Sequence, residues 1–213
     1  MDITSYLLGK NSSGGGGGGS LDQYFNTFGN GTQSYPGILL AIKETPQFEF
    51  GEGAEYAFKG CENLETANLQ TTANVTDMYY MFSGCRALKN VSIKSDNVQY
   101  TQNMFESCVA LVEAPQLNMS KVIKSNQMFK GCTSLTTIPA YDMSSATDMS
   151  GMFQSCYNFT NDTLNNILAM CASATNYAKT KTSSAIGLYS GYNTRMTNCA
   201  NYQAFLDAGW SLS

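Results

Sequence analysis

Through the middle of the chain the apolar positions fall on a fixed grid. Phe58, Phe82, Phe105, Phe129 and Phe153 are spaced 24, 23, 24 and 24 residues apart. Three residues after each stands a cysteine: Cys61, Cys85, Cys108, Cys132 and Cys156. Three further on comes Leu64, Leu88, Leu111 or Leu135, with Phe159 in the fifth copy. Met81, Met104, Met128 and Met152 precede their phenylalanines, with Ala57 in the first copy, and Val75, Val98, Val122 and Ala146 lie seven residues upstream. Several positions recurring together at one period mark a tandem repeat.

The spacing inside each unit predicts its elements. Met78, Met81, Phe82 and Cys85 fall at i, i+3, i+4 and i+7, one face of a helix, and so do Met149, Met152, Phe153 and Cys156. Asp77 and Asp148 stand where N-caps would. Leu88-x-x-Val91-x-Ile93 then predicts a strand whose alternate side chains enter the same core. A period of this length with leucine at fixed offsets reads as a leucine-rich-repeat stack, an α/β solenoid with a short parallel sheet and short helices. Four to five strands about 4.8 Å apart would make a slab of roughly 20–25 Å, and both open ends need caps.

The flanks divide the chain further. Residues 1–11 form a head whose one apolar cluster is Tyr6, Leu7 and Leu8, and residues 12–20, with six consecutive glycines, form a flexible linker. Residues 21–50 read as an N-terminal cap. Ser20 to Gln23 gives a capping box before Leu21, Tyr24, Phe25 and Phe28, and Ile38–Ile42 and Gln47–Phe50 follow as strands. Residues 51–160 hold about 4.5 repeats, and 161–213 form a C-terminal cap. There Asn161 or Asp162 would open a helix bearing Leu164, Ile167, Leu168 and Cys171. A second helix over 199–208 would end at Gly209 before Trp210, the single tryptophan, which would seal the last turn.

Composition narrows the chemistry. There are 12 Lys+Arg against 16 Asp+Glu and no histidine, so Ser-His-Asp and Cys-His nucleophile pairs and His-ligated zinc are excluded. A net charge of −4 argues against nucleic acid as a partner. No Cys-x-x-Cys pair is present among the seven cysteines, and they share the apolar stripe with Met and Phe, which predicts reduced core residues without metal or other cofactor. The opening MDITSYLLGK lacks the form of a secretory signal, and no stretch approaches the apolar length of a membrane span. We expect synthesis in a reducing cytoplasm and no membrane insertion.

The unit Met81-Phe82-Ser83-Gly84-Cys85-Arg86-Ala87-Leu88 resembles the BspA-type leucine-rich repeats of bacterial surface proteins, over about residues 51–160. The flanks, YLLGK with its glycine tract and Asn201 to Trp210, are similar to versions carried on bacteriophage head or tail fibres and decoration proteins. That resemblance implies a non-enzymatic virion protein. The head peptide would hold it to other virion proteins through Tyr6, Leu7 and Leu8, and the repeats would bind a host-surface glycan or protein. Self-association is left open. The alternative is a bacterial surface adhesin or interaction module of the same repeat family.

Two surfaces are candidates for recognition. One is the sheet face, with Glu65, Thr66 and Asn68, then Lys89, Asn90 and Ser92, then Val112, Glu113 and Pro115, then Thr136, Thr137 and Pro139. Its expected ligand-binding residues are Glu65, Thr66, Asn68, Lys89, Asn90, Ser92, Glu113 and Thr137. The other lies on the helix side, with Tyr79, Tyr80, Gln102, Asn103, Asn126 and Gln127. Hydrolysis by the Glu65 and Glu113 carboxylates would require them to face each other across a cleft, and no catalytic residue is expected.

Overall fold

In each repeat the grid residues point inward because two of their neighbours take left-handed backbone conformations. The computed structural model describes residues 54–70, 75–94 and 96–213. The head, the linker and the 21–50 block, with Tyr6, Leu7 and Leu8, lie outside the described residues. The residues two before and two after each grid phenylalanine have positive φ: Tyr56 and Gly60, Tyr80 and Gly84, Asn103 and Ser107, Gln127 and Gly131, Gly151 and Ser155. A run broken twice in this way cannot continue as an α-helix.

The expected repeat helices are therefore absent among the described residues, replaced by tight turns. Met81, Ser83 and Cys85 donate their N–H groups three residues back, to the carbonyls of Met78, Tyr80 and Phe82. The intervening Met78, Tyr80, Phe82 and Gly84 donate instead to the next repeat, to Tyr100, Gln102, Met104 and Glu106 at 2.7–2.9 Å. Half of each turn's amides thus close the turn and half bind its neighbour. Asp77 and Asp148 cap no helix. Each forms a parallel bridge to the next or previous repeat, and Asp148 Oδ1 accepts from the Ser150 N–H and hydroxyl at 2.9 and 2.6 Å.

The same stacking builds the core. The rings of Phe58, Phe82, Phe105, Phe129 and Phe153 lie parallel at centroid spacings of 5.4, 5.6, 5.5 and 6.2 Å. Beside them each buried thiol donates to the phenylalanine carbonyl of the preceding repeat: Cys85 to Phe58, Cys108 to Phe82, Cys132 to Phe105 and Cys156 to Phe129, at 3.0–3.2 Å. Each of these carbonyls already accepts the N–H of the cysteine in its own repeat, so the thiol adds a second, weak hydrogen bond between repeats while filling core space.

The sheet is shorter than the repeat count suggests. Only β1 (Thr66–Gln70) and β2 (Asn90–Lys94) form strands among the described residues, paired parallel with Thr66 opposite Asn90. In the third and fourth repeats Pro115 and Pro139 occupy the position of Ser92 in the second. Proline has no N–H for the ladder. Between these two repeats it stops at one bridge, Glu113 to Thr137, with Ala114 N–H donating to Thr137 at 2.9 Å.

After the fifth repeat the chain forms α1 (Asn161–Ser173). Its N-cap is Thr160, one residue ahead of the expected Asn161 or Asp162, because the Thr160 hydroxyl accepts from Thr163 N–H at 3.1 Å. Leu164, Ile167, Leu168 and Cys171 are buried as their spacing predicted. A 3₁₀ turn at Ser190–Tyr192 and α2 (Asn193–Met196) follow, and the expected 199–208 helix is shorter, as α3 (Tyr202–Asp207). Gly209, at φ 83, follows α3 and turns the chain, and Trp210 is buried between Tyr177 and Phe205 at 5.0 and 5.9 Å. Between them residues 182–188 imitate one more repeat turn. Gly151 and Phe153 donate to Ala185 and Ile186 as earlier repeats donate to one another. Gly187 sits so close to Gln154 that a Cβ there would come within 2.6 Å of its backbone nitrogen.

Candidate binding face

Alternation along β1 and β2 decides which side chains reach solvent. Ala67, Leu69 and Ile93 are buried, whereas Asn68, Asn90 and Ser92 are exposed and Thr66 is half-buried. The parallel register sets Thr66 beside Asn90 and Asn68 beside Ser92, so hydroxyls and amides form two polar rows. These rows form part of a groove of about 900 Å³ that continues over the third repeat to Val112, Glu113, Ala114, Pro115 and Gln116.

Six of the eight expected ligand residues line this groove: Thr66, Asn68, Lys89, Asn90, Ser92 and Glu113. Glu65 and Thr137 are not among its lining residues. Glu65 instead accepts from Lys89 at 3.4 Å on the exposed surface, and Thr137 pairs with Glu113 through the backbone bridge. Glu65 and Glu113 therefore do not share the groove as a facing carboxylate pair. Pro115, expected on the sheet face, is buried, and its carbonyl accepts from the Tyr141 hydroxyl at 2.6 Å. Val112 is unusual for an aliphatic residue in being 46% exposed at the groove.

Sequence reasoning passed over a break in this face. Lys89 and Asn90 donate to Glu65 across the first interface on the strand side, and Thr136 and Thr137 donate to Val112 across the third. Among the described residues no backbone hydrogen bond joins β2 to residues 112–116. The signal was the 23-residue spacing. Leu88 to Val98 spans 10 residues, whereas Leu64 to Val75, Leu111 to Val122 and Leu135 to Ala146 each span 11. The missing residue falls in the connection leaving β2, and the groove lies at that interface.

The opposite, turn side carries the second candidate surface. Tyr56 and Tyr80 stack at 5.3 Å with Lys59 Nζ 4.7 Å over the Tyr80 ring, and Tyr79 meets Tyr56 edge-on at 5.2 Å. Asn103 is 3% exposed, and its amide donates to Glu106 and Gln127 at 3.0 and 3.1 Å. It braces the turn stack and is unavailable to a ligand.

The cysteines offer no reactive group on the repeats. Burial pushes the Cys61 and Cys156 thiols up to about 12 and raises Cys85, Cys108 and Cys132 as well. All seven are free thiols, and Cys199 alone is only half-buried. Among the described residues no cluster of three metal-type side chains occurs, and no helix is long and apolar enough to cross a membrane.

A T. pallidum leucine-rich-repeat protein of known crystal structure aligns at 20% identity with a TM-score of 0.43, over 54% of this chain and 56% of that chain. No curated protein gives a significant sequence match. The family model described as "Mycoplasma protein of unknown function, DUF285" matches residues 53–167, more than half of the chain and all five grid phenylalanines. With the methionine, phenylalanine, cysteine and leucine columns all inside that span, the chain belongs to the DUF285 family.

Proposed function

We propose that the protein is a non-enzymatic recognition module whose groove face binds a macromolecule on a cell surface. The observation that carries this is the groove itself, with amide and hydroxyl side chains of three successive repeats converging on one opening. Such residues give adaptable hydrogen bonding at low entropy cost. The stack behind them is a capped solenoid in this reading, with the 182–188 turn and α1 to α3 closing its C-terminal end. Its parallel rings and paired thiols hold the face rigid. The test is binding of the purified full chain to cells, comparing wild type with Asn90→Arg and Ser92→Arg. Loss of binding with unchanged melting supports the reading, and full binding by both variants removes the groove from the function.

The carrier is a separate question with two answers. The DUF285 match favours a bacterial surface adhesin or interaction module. Carriage on a phage particle, through Tyr6, Leu7 and Leu8 and a flexible linker, rests on the resemblance of the flanking segments, of which only Asn201 to Trp210 lies among the described residues. In that setting weak single contacts suffice, because many copies act together. Antibody fractionation separates the two: signal in purified virions supports the phage particle, and signal on cells with none in virions supports the adhesin.

A further inference from the structure

We propose that the break between the second and third repeats is a docking slot for an extended peptide, which pairs its main chain with the open edge of β2. The proposal deepens the groove reading and rests on it. Asn90 N–H donates toward β1, to Glu65 at 3.2 Å. Alternate residues of a strand direct their backbone groups to opposite edges, so Val91 and Ile93 present theirs to the third repeat. On the facing segment Ala114 N–H and the Val112 carbonyl are committed to the fourth repeat. Glu113 and Pro115 therefore face β2, and Pro115 has no N–H to offer the Val91 carbonyl.

The slot has a fixed back. On the turn side of the same interface Phe82 and Phe105 still stack at 5.6 Å, and four amides still cross from the second repeat to the third. Only the strand side is parted. An open strand edge is a template for another chain, and adding a strand there supplies main-chain hydrogen bonds for affinity and side-chain positions for selectivity.

The lining selects among occupants. Lys89 and Glu113 are its only charged side chains, one of each sign, so a ligand without net charge fits. Ala110, Ala114 and Pro115 leave small apolar contacts, whereas Asn68, Asn90, Ser92 and Gln116 accept polar groups. No aromatic ring lines the groove, so a sugar ring has no face to stack on. A neutral peptide alternating small apolar and hydroxyl side chains matches all three features.

The test uses the full chain, isotopically labelled, and three probes. These are a blocked pentapeptide alternating threonine and valine, the same peptide N-methylated at alternate residues, and a neutral β-linked glucose hexamer. The first peptide should shift the amide signals of Val91, Ile93 and Glu113 and slow exchange at Val91 and Ile93 about tenfold, and N-methylation should weaken it by about tenfold or more. Equal shifts from the N-methylated peptide, or no shift from either, would overturn the proposal. So would exchange at Val91 and Ile93 in the free protein as slow as at Ala114. If the glucose hexamer alone moves these signals, the slot belongs to a glycan. The peptide proposal then fails while the recognition face stands.

Discussion

Truncating Phe105 to alanine removes the central ring of the aromatic ladder. The side chain is fully buried, and its ring lies between Phe82 at 5.6 Å and Phe129 at 5.5 Å, each tilted by only 5°. Deleting a buried phenylalanine side chain costs about 3–5 kcal/mol through lost transfer energy and the cavity left behind. Each ring pair adds roughly 0.5–1.5 kcal/mol beyond area, which places Phe105→Ala toward the upper end of that range. Against a whole-domain stability of about 5–15 kcal/mol, that loss is about a third of the total or more. For a chain of this length each kcal/mol moves the melting temperature about 2–4 °C, so the drop should be roughly 6–20 °C. Thermal and urea unfolding followed by far-UV circular dichroism and by Trp210 fluorescence would measure it. Trp210 reports from the C-terminal packing with Tyr177 and Phe205, so coincident curves would also show that repeats and C-terminal segment unfold together. Phe105→Leu, which keeps most of the volume, should lose less. A Phe105→Ala protein melting within a few degrees of wild type would refute the stacking account.

Thiol labelling of native protein should be slow, because burial raises the thiols above their usual 9.0 and thiolate is scarce. Cys199 should react first, and all seven should count after denaturation. At Ser107 and Ser155, with φ of 62 and 64, glycine should stabilise by about 0.5–1 kcal/mol in urea melts. Gly187→Ala should cost more than Gly84→Ala, since only the former drives a Cβ into backbone. Partial burial would raise the Asp148 carboxyl, yet hydrogen bonds from Lys179 and Ser150 hold it below its usual 3.8. Its contribution is present above that value and is lost as pH falls through the lower folded value. Asp148→Asn should therefore flatten the acid limb of the stability profile.

The sequence made the core legible and the backbone only in part. A column such as Phe58 to Phe153 is visible because every repeat must present the same side chain to the same neighbour. The helix expectation failed because Met78, Met81, Phe82 and Cys85 keep i, i+3, i+4, i+7 spacing in tight turns as well. Gly60, Gly84 and Gly131, placed where a helix interior would be, carried the contrary signal. Pro115 and Pro139 likewise foretold the truncated sheet. Thr66, Asn68, Asn90 and Ser92 could be assigned to one face from alternation alone. That they share a groove with Glu113 depends on a break between neighbouring repeats, which a one-residue deletion announces without describing.

The most direct test of the central claim compares the two faces in one cell-binding assay with the full chain. Asn90→Arg puts a long cation into the groove, and Asn126→Arg places the same change on the turn side, both at positions outside the core. Both variants should melt with wild type. The account predicts that Asn90→Arg loses binding by about tenfold or more, the order of one or two lost hydrogen bonds and a blocked surface, while Asn126→Arg binds as wild type. Binding that survives Asn90→Arg and disappears with Asn126→Arg would contradict it and move recognition to the turn side.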